Sequence, residues 1–326
     1  MTRASVLVSW YMCAALSYKV SVDMRGGLSY YDRENLCLES YLKLQRVFHG
    51  CTPENFPLIF ASKADFEVGM TLFAVCAHKH ADNLQFLTFE LMTNHVHIVV
   101  AGSPDDIHDF FNEFKNILER KLNKNLDELN LTLHLVKDLE NLRNVIAYAN
   151  RNGSVVDENV CPHTYPWGAN RFYFNEEAKL RYHSSGRKMT SCKIRAVTRS
   201  RQYDDLKDVY EVDGYASPLS FCAISQGEEL FRSARHYFSK VSRHVESYDE
   251  IAKMIGESIY YTDDDLFQIV CTLSKKNYDC NTPAHLPYKA KIDIAKFIRS
   301  EYNASNKQIQ RMLKIDQSVL IALFGK

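Results

Sequence analysis

Two histidines separated by one residue are the first feature of this sequence that can carry chemistry. His95 and His97 open a run in which Val96, Ile98 and Val100 occupy every second position. This alternation is typical of a strand, and a strand places residues two apart on one face. Two adjacent imidazoles directed by a hydrophobic strand can form half of a site for a divalent cation. A purely structural role for each histidine is the alternative.

A second pair with the same spacing, His78 and His80, provides a comparison within the chain. It lies at the end of a helix predicted over 63–79, where residues two apart point in different directions. We therefore expect these two histidines to lie on the solvated surface.

A tyrosine and an asparagine one helical turn apart form the second chemical feature. We predict a helix from Asp138 to Asn152 that Gly153 ends. At 100° per residue, Tyr148 lies roughly 140° from the centre of the apolar stripe, and we expect it outside the core. Asn152 lies about 40° round from Tyr148, so the helix can present a phenol and an amide together. A surface tyrosine and a capping asparagine are the alternative. The apolar stripe consists of Leu139, Leu142, Ile146 and Ala149.

The elements around these residues predict an α+β fold. The pattern is strand-like over 41–48 and helical over 63–79, and two β-rich runs at 86–92 and 96–100 form a hairpin. After Gly102 a helix begins with Ser103 as N-cap and Pro104 in the first turn. This order of elements predicts an antiparallel sheet covered by helices.

Three short motifs resemble those of the HUH single-tyrosine transposases, and within them the REP-associated tyrosine transposases. The family's helix motif Y-I-x-x-N-P is matched by Tyr148 and Asn152, with Gly153 replacing proline, and its P-W-S/G-S segment is matched by Pro166-Trp167-Gly168. Order and spacing agree over about 41–182. The family's strand motif M-P-N-H-x-H has Thr93 in place of proline and is otherwise matched by Met92, Asn94, His95 and His97.

The resemblance implies an HUH, ferredoxin-like catalytic domain with a defined chemistry. His95, His97 and Asn152 would hold Mg²⁺ or Mn²⁺. Tyr148 would attack the scissile phosphate and give a 5′-phosphotyrosine and a free 3′-hydroxyl. The partner would be single-stranded or hairpin DNA. The two departures from the motifs, Thr93 and Gly153, lie beside the site residues. They affect the geometry of the hairpin and of the helix end.

Beyond Tyr182 the sequence turns rich in serine and basic residues, and we place a domain boundary there. Three short helical patterns near the C terminus resemble a helix-turn-helix over about 289–326, and a generic helical subdomain is the alternative. The predicted parts are an N-terminal extension over 1–40, the catalytic domain over 41–182, a basic linker over 183–203 and a helical DNA-binding region over 204–326.

Local patches must supply any contact with DNA, because 40 Lys and Arg balance 40 Asp and Glu over the whole chain. Basic and amide side chains on predicted helices are the candidates. In the linker, Lys188, Lys193 and Arg195 belong to a basic run that could follow phosphates, although such loops are commonly only solvated. The candidates for DNA contact on the helices are Lys115, Arg120, Arg151, Lys307, Gln308 and Arg311.

Composition and cysteine usage set further expectations. The nine cysteines form no CxxC pair, which favours a reducing, cytoplasmic compartment over a disulfide framework or zinc knuckle. An apolar stretch over 6–16 only loosely imitates a signal peptide and is too short to span a bilayer, so we expect no membrane partner. Whether the chain is a monomer or a homodimer is open.

Two other functions fit part of the pattern. A domesticated regulator could bind hairpin DNA without cutting it, although a binder needs none of the four site residues together. A plasmid replication initiator or relaxase would share the histidine pair, but usually brings a helicase or a longer His-rich site, and the sequence contains neither.

Overall fold

The computed structural model describes residues 29–156, 164–206, 208–242, 251–252, 261 and 263–325. The chain divides into two units, Met1–Ser242 and Arg243–Lys326. The signal-like stretch over 6–16 lies outside the described residues.

The first unit is built around a four-stranded antiparallel sheet. Its strands are β1 (Val47–Cys51), β2 (Gln85–Leu91), β3 (Val96–Ala101) and β4 (Thr132–Leu135). They lie side by side in the order β2-β3-β1-β4. Four helices accompany this sheet along the chain. Helix α1 (Tyr30–Leu42) precedes β1, α2 (Lys63–Lys79) lies between β1 and β2, α3 (Pro104–Leu122) lies between β3 and β4, and α4 (Leu139–Val156) follows β4.

The rest of the first unit is made of shorter elements. The helices are α5 (Glu176–Ser185), α6 (Ser191–Thr198), α7 (Ile224–Glu229) and α8 (Ala234–Val241). A small antiparallel sheet is formed by β5 (Arg187–Lys188), β6 (Tyr210–Val212) and β7 (Tyr215–Ala216). The α+β prediction is confirmed at this level.

Local sequence signals explain where the main elements begin. Ser62 caps α2 in a capping box with Asp65, and Ser103 caps α3 with Pro104 in its first turn. The predicted hairpin is the pair β2 and β3. The strand-like pattern over 41–48 is only partly right, because α1 extends to Leu42 and β1 begins at Val47.

The two faces of the main sheet differ in character. Val96, Ile98 and Val100 lie on one face, where α2 and α3 cover them with an aromatic cluster in which Phe73 stacks on Phe89 at 4.3 Å between ring centroids. The other face carries polar residues on neighbouring strands, and α4 packs against it. Side chains on this polar face include Thr88, Glu90, His97, His49 and His134.

The segment Pro166-Trp167-Gly168 covers the outer edge of β2. The backbone N–H of Leu91 donates to the carbonyl of Trp167 at 2.8 Å, and the Trp167 ring stacks on Phe66 at 4.8 Å between ring centroids. A side chain at Gly168 would place its Cβ 2.8 Å from the Phe89 carbonyl, so only glycine fits this approach. The strand edge is thereby protected from pairing with another chain.

Residues 183–203, which the sequence suggests as a linker, form part of the first unit. They contain β5 and α6, and α6 contacts α2 and α3. Tyr203 is buried and its hydroxyl donates to Glu113 at 2.5 Å. The basic run is also partly neutralised, because Lys193 pairs with Glu211 and Arg195 with Asp204. The units divide after Ser242 and not in this segment.

The second unit is helical in its described part. Three helices lie within 288–324, close to the range of 289–326 in which the sequence predicts them, and their core includes Ile298, Ile309 and Leu320. The helices are α9 (Asp263–Tyr278), α10 (Tyr288–Tyr302), α11 (Asn306–Leu313) and α12 (Gln317–Phe324). Across both units, no described helix has the length and apolar character needed to cross a membrane.

Candidate functional site

The two predicted histidine ligands lie side by side at the start of β3. His97 is fully buried and His95 is 6% exposed, with 5.0 Å between the ring centroids and an angle of 85° between the rings. His95 directs its Nδ1 at the Asn94 side-chain oxygen, 2.8 Å away. Each ring is therefore held in place.

Helix α4 brings the other two predicted residues to the same place. The Nδ2 atom of Asn152 lies 2.8 Å from Nε2 of His97. The Tyr148 ring lies one turn earlier on α4, with its centroid 6.0 Å from that of His97. The structure thus brings together two pairs of residues that are far apart in the chain.

Tyr148 is buried, and the prediction that it lies outside the core is wrong. It is 7% exposed. The helical stripe argument placed only hydrophobic residues against the sheet, whereas the Tyr148 ring packs against His97 on the polar face of the sheet. Helix α4 also packs against α8. Arg143 ties α4 to further elements, since its Nε donates to the carbonyl of Leu230, directly after α7, at 2.7 Å and its Nη1 to Glu34 of α1 at 2.7 Å. The helix also continues past Gly153 to Val156 and does not end there.

His49 is the site residue that the sequence did not reveal. It lies on β1, fully buried, and its ring is nearly parallel to that of His97, at 17°. Its Nε2 is 3.3 Å from Nδ1 of His97, and its ring centroid is 6.2 Å from that of Tyr148. A polar residue among the hydrophobic residues of a strand could have identified His49. The strand-like pattern over 41–48, however, ends just before this residue.

Glu90 is a second buried group that the sequence did not reveal. It lies on β2 directly opposite His97 of β3, on the polar sheet face. The Gly153 backbone approaches the carboxyl, but no described residue makes a hydrogen bond of normal geometry with either oxygen. Burial raises the pKa of Glu90 well above its usual value. This carboxyl therefore favours either a proton or a cation beside it.

Burial favours the neutral forms of His97 and His49 by lowering the pKa of each. It lowers the pKa of His97 from 6.5 to about 4, and the nearby Glu54 opposes this only in part. Burial, with smaller contributions from His97 and His134, also lowers the pKa of His49 well below its usual value. A neutral imidazole is the form that binds a metal ion.

His95, His97 and Asn152 fit a small divalent cation in their donor chemistry. Because Nδ1 of each histidine contacts a neighbour, Nε2 would be the ligating atom of each ring. Asn152 can offer its amide oxygen. Within the residues that the structure describes, no three His, Cys, Asp or Glu side chains are grouped as a metal site. The candidate set is accordingly two imidazoles and an amide.

The comparison pair His78 and His80 is not a solvated surface pair, contrary to our expectation. Both side chains are half-buried, and His80 Nε2 lies 2.9 Å from a Glu113 carboxylate oxygen. Burial lowers the pKa of His78. Glu113 also pairs with Lys79 and accepts from Tyr203, so this cluster joins α2, α3 and the segment after α6.

The candidate DNA contacts of the first unit differ in accessibility. Arg120 is exposed, and Lys115 is half-buried with its Nζ 3.5 Å from the Asp127 carbonyl. Arg151 is only 3% exposed, so the structure does not present it as a surface cation.

In the second unit, two of the three candidates are held by contacts within that unit. Gln308 belongs to the capping box of α11 and donates to the Tyr261 carbonyl at 2.9 Å. Arg311 forms a two-pronged ion pair with Asp263, at 2.8 and 3.0 Å. Lys307 is exposed.

Comparison of the chain with family models, with curated proteins and with solved structures finds no match. Any assignment of function therefore depends on the motifs and on the geometry described above.

Proposed function

We propose that this protein is a metal-dependent DNA strand transferase of the HUH single-tyrosine type, acting on single-stranded or hairpin DNA. The observation that carries the proposal is the 2.8 Å contact between Asn152 and His97, with Tyr148 one turn before Asn152 on the same helix. Two motifs chosen from distant parts of the sequence meet at this point.

The order of elements supports the same class. The elements β1, α2, β2, β3, α3 and β4 follow one another as β-α-β-β-α-β, the order of a ferredoxin-like unit. The histidines lie on a central strand of the resulting sheet, and the tyrosine lies on the helix that packs on its polar face. Rigid elements of this kind hold reacting groups in a fixed relation.

The proposed reaction is a transfer of a phosphoryl group between two hydroxyl oxygens. The Tyr148 hydroxyl releases its proton to solvent as its oxygen forms a bond to phosphorus, the bond from phosphorus to the 3′ oxygen breaks, and that oxygen takes up a proton from solvent. A 3′-hydroxyl can reverse the step and join strands, because the bond energy is kept in the phosphotyrosine. When bound by His95, His97 and Asn152, Mg²⁺ or Mn²⁺ would polarise a non-bridging phosphate oxygen.

A hairpin-binding regulator that does not cut DNA is the second candidate, and the burial of Tyr148 is the observation that favours it. A side chain that is 7% exposed must become more accessible before a phosphate can reach its oxygen. The strand transferase therefore requires the site to widen when DNA binds, whereas the regulator does not.

The test is to incubate the full chain with single-stranded oligonucleotides from the ends of its own flanking DNA and Mn²⁺. A denaturing gel should show a covalent protein–DNA adduct, and peptide mapping should place the nucleotide on Tyr148. Tyr148→Phe removes one oxygen, so it should retain DNA and metal binding and form no adduct.

Tyr165→Phe and Tyr173→Phe are the matched controls. The hydroxyls of both residues donate to backbone carbonyls of β2 at 2.7 Å, so their loss perturbs the structure near the site without removing the proposed nucleophile. Both variants should still form the adduct. An adduct that persists in Tyr148→Phe, or maps to another tyrosine, would contradict the mechanism. Hairpin binding with no adduct in the wild-type protein would favour the regulator.

A further inference from the structure

His49 contacts one of the two ring nitrogens of His97. Its Nε2 lies 3.3 Å from Nδ1 of His97, on the side of the ring away from Asn152. Both rings are fully buried, so water does not substitute freely for this contact. The two histidines lie on neighbouring strands of the central sheet, which fixes their relative position.

The hydrogen-bond roles follow from the contacts that the two ring nitrogens of His97 make, Nδ1 with His49 and Nε2 with Asn152. A neutral imidazole has one N–H and one lone pair in the ring plane. If Nε2 is to accept from Asn152 or bind a cation, the proton must be on Nδ1. Nδ1 then donates to Nε2 of His49, which must itself be unprotonated. His49 consequently carries its own proton on Nδ1.

We infer that His49 is a positioning residue that holds His97 in the Nδ1–H tautomer and so directs the Nε2 lone pair toward Asn152. This inference rests on the proposed function only in giving that lone pair a cation to bind. The partner of the outer nitrogen of a metal-binding histidine orients the ring and raises its basicity, and its loss typically reduces metal affinity by about 10 to 100-fold.

The cost of burying His49 supports a specific role. Its Nδ1 is buried and makes no hydrogen bond with a described residue. A buried polar atom left without a partner destabilises the fold, and a hydrophobic residue on this strand would avoid that cost. Packing alone therefore does not explain a histidine at this position.

The first experiment is ¹⁵N NMR of the ring nitrogens in the full-length, metal-free wild-type protein. His97 should show a protonated Nδ1 and an unprotonated Nε2 at neutral pH, assigned by comparison with His97→Gln. The opposite tautomer would overturn the inference. This measurement needs neither metal nor DNA, so it decides the role of His49 even when the protein forms no adduct.

The second experiment compares His49→Leu and His49→Gln with the wild type for Mn²⁺ affinity by titration calorimetry. His49→Leu should weaken Mn²⁺ binding about 10 to 100-fold, and His49→Gln, which supplies an amide oxygen as acceptor, should restore most of it. His236→Leu is the control, because this half-buried histidine lies on α8 and its pKa is also lowered, to about 4. It should leave Mn²⁺ affinity unchanged.

The outcomes separate the two proposals. Equal Mn²⁺ affinity in the wild type and both His49 variants, with loss in His97→Gln, would overturn the role of His49 and leave the metal site intact. A wild type that has the expected tautomer but forms no adduct would contradict the proposed function and leave the role of His49 intact. Should His49→Leu fail to fold, the wild-type spectrum and His49→Gln still decide.

Discussion

Replacing Gly153 with alanine tests the close packing of Tyr165 against α4, the helix that carries Tyr148 and Asn152. A Cβ at this position would lie 2.5 to 2.6 Å from three ring atoms of Tyr165, a distance that real Cβ atoms essentially never show. The Tyr165 hydroxyl donates to the Leu91 carbonyl at 2.7 Å, so the ring cannot move without losing a contact. Alanine at this position must therefore displace Tyr165.

Two effects of opposite sign decide the outcome. Alanine in place of glycine inside a helix stabilises it by about 1 kcal/mol. Overpacking costs about 1 to 3 kcal/mol, and the lost hydrogen bond of Tyr165 costs about 1 kcal/mol more. The clash exceeds the gain, and we expect Gly153→Ala to lower the free energy of unfolding by about 1 to 3 kcal/mol. Asn152 is the adjacent residue, so adduct formation should also fall.

Urea unfolding followed by circular dichroism measures the effect, in a cycle with Tyr165→Ala. Tyr165→Ala removes the Cγ and Cδ atoms that a Cβ at position 153 would meet, so in this background Gly153→Ala should stabilise the protein by up to about 1 kcal/mol. If Gly153→Ala stabilises the otherwise wild-type protein by that amount, the gain from helix propensity exceeds the cost of the clash. The close approach of Tyr165 to α4 is then wrong.

Three other predictions concern pH, the metal ligands and the second unit. Because the pKa of His97 falls from 6.5 unfolded to about 4 folded, its contribution of about 3 kcal/mol to stability is present above pH 6.5 and lost as pH falls to about 4. Urea unfolding at pH 7 and 4.5 should show this loss, reduced in His97→Gln. His95→Ala should abolish Mn²⁺-dependent adduct formation, whereas His80→Ala should lower stability but keep the adduct; equal losses would remove the argument for a metal site. Truncation after Ser242 should keep nicking at high protein concentration and lose affinity or site preference; full affinity in the truncated protein would exclude the second unit as the part that finds DNA.

Local signals were enough to predict α2, α3, most of α4, the three C-terminal helices and the central hairpin. Ser62 and Ser103 accept hydrogen bonds from the backbone of the helices they cap, so the start of each helix is encoded within a few residues. The alternation of hydrophobic residues in β3 predicts its buried face for a similar reason. These signals need no knowledge of the rest of the chain.

Burial of the tyrosine could not be predicted in this way, because it depends on elements distant in sequence. The helical pattern identifies one apolar side of α4, but the Tyr148 ring is buried against His49 and His97 on the polar face of the sheet. Helix α8 packs on α4 as well, and Arg143 is buried with a hydrogen bond to Glu34 of α1. Polar side chains enter this second interface because they find partners there, as Arg143 does with Glu34. A pattern of hydrophobicity cannot register an interface of this kind.

The segment over 183–203 was hard to interpret for a related reason. Its basic residues suggest a solvated linker, but Lys193 and Arg195 pair with Glu211 and Asp204, acids that lie further along the chain. Surface pairs of this kind contribute little to stability, about 0 to 1 kcal/mol each. Their effect is to neutralise a patch that composition alone presents as positive. The truncation test is placed after Ser242 for this reason.

The polar face of the main sheet beneath α4 lowers the stability of the fold, and this loss of stability bears on function. Glu90, His97 and His49 occupy three neighbouring strands and are fully buried, and Glu90 has both oxygens without a hydrogen bond of normal geometry to a described residue. Each unsatisfied buried polar group costs about 1 to 3 kcal/mol, and hydrophobic residues of similar volume would avoid that cost. Stability alone therefore does not explain this row. The proposed metal site accounts for two members of the row, because His97 must be neutral to bind a cation and His49 contacts the ring nitrogen of His97 that lies away from Asn152.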